Sequence, residues 1–151
     1  MPPLLQIRAV AESELPELVR LDTEAFPAGP YPSFVLRQFF DAYGDHLLVL
    51  DDGAGLLGYV FATAPNNHDV SWILSLAITP GLQGRGQGRR LMEEILDRLR
   101  SEDVKEVKLT VEPGNDTAVL LYRSLGFVPE GPPRKDYFGP GQHRLRMVLT
   151  F

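Results

Sequence analysis

The chain has 151 residues and no cysteine. That length can bury one domain-sized core without staples, and the missing thiols exclude disulfides, thiol nucleophiles and cysteine-ligated metals. A composition of 44% hydrophobic and 23% charged residues excludes wholesale disorder, and a net charge of −5 argues against a general nucleic-acid binder.

Alternation from Leu4 to Val10, behind two prolines, predicts a first strand. Ser13 is the expected N-cap of a helix carrying Leu15, Leu18, Val19, Asp22 and Phe26 at helical spacing. Asp22 is its polar exception, and Pro16 falls in the tolerant first turn. Three prolines and a glycine between Phe26 and Pro32 force a loop, and a second helix follows over Ser33 to Tyr43. His46–Leu50 and Leu56–Ala64 flank Asp51-Asp52-Gly53-Ala54-Gly55 and read as a hairpin. Asp69 to Thr79 is an apolar strand in which Trp72 is expected to pack in the core. Gly88 to Arg100 is an amphipathic helix, and its Glu93, Glu94, Asp97 and Arg98 form a solvated face. Glu106–Val111 is a strand, and Asn115–Leu125 is a helix stopped by Gly126. Phe127-Val128 opens a short strand, and Leu145–Phe151 is the last one. The expected architecture is a single domain over residues 1–151, an α/β mixed sheet of about seven mostly antiparallel strands with helices on both faces. Strand 69–79, helix 88–100 and strand 106–111 form one right-handed parallel β–α–β unit. No apolar run approaches the roughly twenty residues of a membrane helix, and the N-terminus lacks a secretory signal, so a cytoplasmic protein is expected.

The chemistry concentrates in Gln83-Gly84-Arg85-Gly86-Gln87-Gly88-Arg89-Arg90, between a strand and a helix. Alternate glycines let a backbone approach a ligand closely, and the helix that follows offers unpaired N–H groups to an anion. Arg85, Arg89 and Arg90 add positive charge, so the segment reads as a pyrophosphate cradle. The alternative is a bare glycine turn with solvated arginines. Nucleotide-hydrolase and dinucleotide fingerprints both fail here, the first for want of Lys and Ser/Thr, the second on glycine spacing.

Gln83-x-x-Gly86-x-Gly88 resembles the [Arg/Gln]-x-x-Gly-x-[Gly/Ala] motif of the GNAT superfamily of acyl-CoA-dependent N-acetyltransferases. Asn115 to Phe127 is similar to its second signature, N-x-x-A-x-x-x-Y-x-x-x-G-F. The resemblance, closest to the ribosomal-protein and N-terminal acetyltransferase branch, implies acetyl-CoA as co-substrate and a primary amine as acceptor, without a covalent acyl-enzyme. It implies cofactor contacts from Leu76, Ala77 and Ile78, with the Ala77 amide polarising the thioester carbonyl. Gln83, Gly84, Arg85, Gly86, Gln87, Gly88 and Arg89 then surround the pyrophosphate, and Asn115 adds a side-chain contact. Tyr122 matches the general acid toward the CoA sulfur. A homodimer through the last strands is one arrangement known in the family.

The acceptor side departs from the pattern. Relatives place a carboxylate or histidine base where this chain has Thr110, and a second base position falls on Ser71. Glu112, His68, Asp69 and His143 are the titratable residues nearby in sequence, and none is assigned as base. Phe26, Pro27 and Tyr31 resemble the Phe-Pro-x-x-Tyr loop that lines a peptide groove, though Gly29-Pro30 is inserted. Tyr137 resembles the tyrosine of the opposing hairpin. A peptide or protein N-terminus and a small-molecule amine both stand as acceptors, and a non-catalytic acyl-CoA-binding module is the alternative that Thr110 favours. His46, His68 and His143 are too dispersed for a metal site, and neither a nucleic acid nor a membrane is an expected partner.

Overall fold

The computed structural model describes residues 5–66 and 69–151. Leu4, expected to open the first strand, and His68 lie outside them. In chain order the elements are β1 (Gln6–Ala9), α1 (Leu15–Ala25), α2 (Ser33–Tyr43), β2 (Leu47–Asp51), β3 (Leu56–Ala62), β4 (Val70–Ile78), α3 (Gln87–Ser101), β5 (Glu106–Val111), α4 (Asp116–Ser124), β6 (Val128–Pro129) and β7 (Leu145–Thr150). The strands form one seven-stranded sheet in the order β1-β2-β3-β4-β5-β7-β6. Every pairing is antiparallel except β4 with β5, the two strands that α3 joins.

Two apolar layers flank the sheet. On one side α1 and α2 bring Leu18, Leu21 and Leu36 against Leu47, Val49, Tyr59 and Phe61. On the other, α3 brings Leu91, Met92, Ile95 and Leu99 against Leu48, Leu50, Val60, Val107, Leu109 and Met147, and α4 adds Ala118, Val119 and Tyr122. Buried on both faces, β2 reads as an unbroken apolar run rather than an alternating one. The hairpin between β2 and β3 turns on Gly53 at φ +90°, with the Asp52 carboxylate accepting from Ala54 and Gly55 N–H.

One local expectation fails. Residues 12–14 form a 3₁₀ turn ahead of α1, so Ser13 is not its N-cap. The Glu14 carboxylate instead accepts from Ala11 N–H at 2.9 Å and pairs with Arg8 at 2.6 Å, which holds its pKa below the usual carboxylate range. No helix among the described residues is long and apolar enough to cross a membrane.

Candidate active site

The sheet parts at its centre. β4 and β5 pair only over Val70–Trp72 with Glu106–Lys108. Beyond that point Leu109, Thr110 and Val111 pair with Met147, Arg146 and Leu145 of β7, whereas β4 continues alongside β3. The register against β3 slips by one residue, Phe61 facing Ser75 and Ala62 facing Ile73, so Leu74 is the extra residue of a bulge. Such a bulge bends its strand, and here the bend opens a gap between two parallel neighbours.

The hydrogen-bond alternation decides which groups face that gap. Thr79 N–H donates to the Leu57 carbonyl at 2.8 Å, so the next hydrogen-bonded pair of the antiparallel ladder is Ala77 with Tyr59. The main-chain groups of Leu76 and Ile78 therefore turn toward the gap, and the Ile78 carbonyl there accepts from Gln83 Nε2 at 3.2 Å. The sheet thus takes up the Ala77 amide, correcting its expected role as thioester donor, and Leu76 carries the free N–H at this level.

Directly beyond β4 lies the glycine loop. Gly84 and Gly86 both adopt φ +78°, a left-handed conformation costly for other residues, and a Cβ on either would meet nothing within 4 Å. Gly86 is the N-cap of α3 and supplies no side chain to the first N–H groups, which remain open to an anion. Gly88 sits closer in, where a Cβ would touch Leu121, Leu76 and Ile78 at 3.7–3.9 Å, ordinary packing distances. Arg89 is held by Glu93 and by the Ser124 hydroxyl, and Arg90 by the Gln87 amide oxygen at 3.0 Å. Arg85 remains exposed on the loop. Asn115 caps α4 by accepting from Ala118 N–H at 3.2 Å, which leaves its amide nitrogen for a ligand.

Tyr122 lies on α4, packed against the core beneath α3. Gly126, at φ +102°, reverses the chain so that Phe127 N–H bonds the Tyr122 carbonyl and the Phe127 ring packs 6.0 Å from that of Tyr122. Burial pushes the Tyr122 hydroxyl up to about 12, so it holds its proton throughout the neutral range.

On the opposite face, Tyr31 reaches the same bulge. Its hydroxyl donates to the Leu74 carbonyl at 2.9 Å and its N–H to Asp22 Oδ2 at 2.8 Å. Asp22, fully buried, also accepts from the Tyr59 hydroxyl at 2.6 Å, and that hydroxyl is 2.8 Å from Ser75 Oγ. Both tyrosine hydroxyls are raised, first by burial and then by the Asp22 charge. Phe26 and Pro27 lie exposed at the start of the same loop, and Tyr137 stacks on Phe138 in the β6–β7 connection. A separate cleft of about 550 Å³, lined by Val10, Phe40, Tyr43 and His46, lies near the start of β2, away from the glycine loop.

The sequence profile of the acetyltransferase (GNAT) family matches residues 11–127. The chain belongs to this family. It is 31% identical over 137 residues to the N-alpha-acetyltransferase RimI of Mycobacterium tuberculosis, covering 87% of this chain and 83% of that protein. It is 30% identical over 145 residues to the [ribosomal protein bS18]-alanine N-acetyltransferase of Salmonella typhimurium, covering 95% of each. The crystal structure of the Escherichia coli ribosomal-protein-S18-alanine N-acetyltransferase shares the fold, with a TM-score of 0.81 at 24% identity over 97% of this chain and 94% of that one.

As a GNAT acetyltransferase, the chain has neither a carboxylate nor a histidine at Thr110 or Ser71. Thr110 faces Arg146 across β5 and β7. Ser71 is fully buried with its hydroxyl unpartnered among the described residues, on the α3 side of β4 with Ile73 rather than the acceptor side. Glu112 is exposed and 3.7 Å from Arg144, the His143 ring accepts from Asp136 N–H, and the Asp69 carbonyl joins Lys105 and Glu106 at the start of β4. Nor does Trp72 lie in the core, for it is half-buried beneath the Arg146 guanidinium, 5.2 Å from its ring centre. The sequence reading missed the Asp22–Tyr59–Ser75 chain and the Arg146–Trp72 pair. Asp22 had left a signal as the one polar residue on an apolar helix face. Among the described residues, no group of three His, Asp or Glu side chains gathers as a metal ligand set.

Proposed function

We propose that the enzyme acetylates the α-amine of a peptide or protein N-terminus, with acetyl-CoA held in the gap between β4 and β5. The observation that carries this reading is the parting of the two strands beyond Trp72, directly ahead of the uncapped N-terminus of α3. The donor set fits the group: Leu76 and Ile78 for the amide-bearing arm, the N–H groups from Gly84 to Arg89 for the pyrophosphate, and the Asn115 amide beside them. Gly84 and Gly86, with no atom near their missing Cβ positions, leave room for a phosphate to approach the backbone. Bound there, acetyl-CoA supplies a thioester whose carbonyl carbon accepts the amine and whose sulfur leaves with the electron pair.

The chain's own residues then have two tasks. The Leu76 N–H, turned into the gap, donates to the carbonyl oxygen as charge develops on it. Tyr122, kept protonated by burial, donates a hydrogen bond to the departing sulfur, and the proton released by the acylated nitrogen is the one the thiolate finally takes up. An α-amine, whose ammonium titrates near 7.7–8.0, arrives with a usable neutral fraction at neutral pH. A free lysine, near 10.4, would need a base, and the carboxylate beside Arg146, that of Glu130, is already held by Lys108 and Arg146. Tyr31, Phe26, Pro27 and Tyr137 line the acceptor's approach. The bS18-alanine acetyltransferase relative supports a ribosomal protein as acceptor and a cytoplasmic site of action.

The test is thiol release from acetyl-CoA against a panel of N-terminal peptides, lysine side-chain peptides and small amines. Turnover of α-amines and not of lysine is expected. Tight acetyl-CoA binding with no turnover of any amine would favour the binding-module reading that Thr110 invites.

A further inference from the structure

The alternation of β5 and β7 sends Val107, Leu109, Leu145 and Met147 into the core beneath α3 and leaves Lys108, Thr110, Arg144 and Arg146 on the acceptor face. Arg146 is the anomaly there. Its side chain is only 17% exposed, yet none of its five N–H donors makes a hydrogen bond among the described residues, and Nε is completely enclosed. Its one charged neighbour, Glu130, approaches Nη2 at 3.2 Å in a geometry that leaves Glu130 Oε2 itself unbonded. Glu130 is already shared with Lys108 at 3.2 Å, and these cations hold its pKa below the ordinary range. The indole of Trp72 lies 5.2 Å from the guanidinium on the β4 side. Lys108 and Arg146 share the single carboxylate of Glu130, which leaves one positive charge in excess at this point of a protein of net charge −5.

We propose that Arg146 is a carboxylate site for the acceptor: the enzyme selects N-termini with an acidic side chain at the first or second residue. This rests on the peptide reading above. A planar guanidinium with an unused edge matches a carboxylate's two oxygens, and a partly desolvated cation gains most from such a partner. Arg146 stands opposite Thr110, where β5 has parted from β4 and the reactive carbonyl would lie. Adjacent strands are about 4.8 Å apart and an extended peptide advances roughly 3.3 Å per residue, so an anion held there belongs within one or two residues of the amine. Thr110, uncharged, leaves that carboxylate unopposed.

Binding and turnover are measured separately, so the two readings fail separately. In the presence of CoA, N-acetylated product peptides differing only by Glu or Gln, at the first or at the second position, are titrated calorimetrically into wild type, Arg146→Gln and Arg146→Lys. Wild type is expected to bind the Glu peptide about 10- to 100-fold more tightly, the discrimination of a hydrogen-bonded charge pair. The ratio should collapse toward one in Arg146→Gln and be intermediate in Arg146→Lys, which keeps the charge but loses the planar fork. A melting shift with acetyl-CoA in each variant establishes that it is folded. Equal affinity of wild type for Glu and Gln peptides overturns the proposal, as does a Glu preference that survives in Arg146→Gln. Should free glutamate alone bind with Arg146 dependence, the carboxylate site stands and the peptide commitment falls. Absent thiol release with the Glu preference intact would sink the catalytic reading and leave this one standing.

Discussion

Tyr122 gains its chemical character from burial rather than from any partner. Desolvation alone raises its hydroxyl to about 12, so the group stays protonated wherever the enzyme works. Replacing it with Phe keeps the ring packing on Phe127 and deletes only the hydroxyl. We expect kcat to fall about 10²-fold or more, while acetyl-CoA affinity measured by calorimetry stays within a factor of two or so of wild type, roughly 0.4 kcal/mol. Linkage gives a second readout. A tyrosine titrating near 10 when unfolded and about 12 when folded binds its proton more tightly in the native state. Its contribution to stability is complete below pH 10 and is lost as pH rises from there through about 12. Thermal melts across that window should fall less steeply for Tyr122→Phe than for wild type. The two glycines at the start of α3 separate along the same line of reasoning. Gly86→Ala forces a side chain into φ +78° and should cost about 1–2 kcal/mol together with acetyl-CoA affinity. Gly88→Ala meets only ordinary contacts, and its melting temperature should stay within a degree or two of wild type, a cost below ~0.5 kcal/mol.

At the scale of elements, the bulge in β4 is held by a closed circuit of hydrogen bonds. Asp22 on α1 anchors the Tyr31 backbone, Tyr31 ties the loop to the Leu74 carbonyl, and Tyr59 joins Asp22 to Ser75 on the next residue of β4. Burying a carboxylate is expensive unless its oxygens are satisfied, and two strong donors satisfy them here. Asp22→Ala would leave the Tyr31 N–H and the Tyr59 hydroxyl facing each other without an acceptor. Hydrogen bonds to a charged group are worth about 1.5–3 kcal/mol each, so we expect a loss of about 3 kcal/mol in denaturant unfolding and a weaker grip on acetyl-CoA. Asp22→Asn, which keeps one acceptor, should lose about half as much. Periodicity made most of these elements legible: α2 and β5 fall where the spacing of their apolar residues and their flanking turns put them. It could not show that Leu74 is a bulge, because a one-residue slip changes faces without changing composition. It also misjudged Ser13, since capping here depends on an ion pair between Glu14 and Arg8 on two separate elements. The glycine loop and Tyr122 were readable because their chemistry demands particular residue types at fixed spacing. Arg146 was not, since one arginine alternating in an edge-side strand looks like any solvated residue until its neighbours are known.

Taken whole, the molecule is two half-sheets joined along a short seam. β1 to β4 form one half and β5, β7 and β6 the other, and among the described residues three pairs of parallel ladder cross between them. The core beneath α3 provides the rest of the union, through Leu91, Ile95 and Leu99 packed against both halves. A ligand lying in the gap continues the seam where the protein lacks its own hydrogen bonds. Acetyl-CoA at one hundred times its dissociation constant adds about 2.7 kcal/mol of apparent stability, a rise of roughly 5–10 °C for a domain of this length. The gain should not be spread evenly. Amide exchange ought to slow most at Leu76 and Ile78 and at the N–H groups from Gly84 to Arg89, while α2 and the β2–β3 hairpin, remote from the gap, change little. Adenosine 3′,5′-bisphosphate, which carries the nucleotide end without the amide-bearing arm, should leave Leu76 and Ile78 exchanging as in the free enzyme. Uniform slowing across the chain, or none at β4, would mean that the ligand binds without bridging the halves, and the gap would then be a feature of the sheet alone.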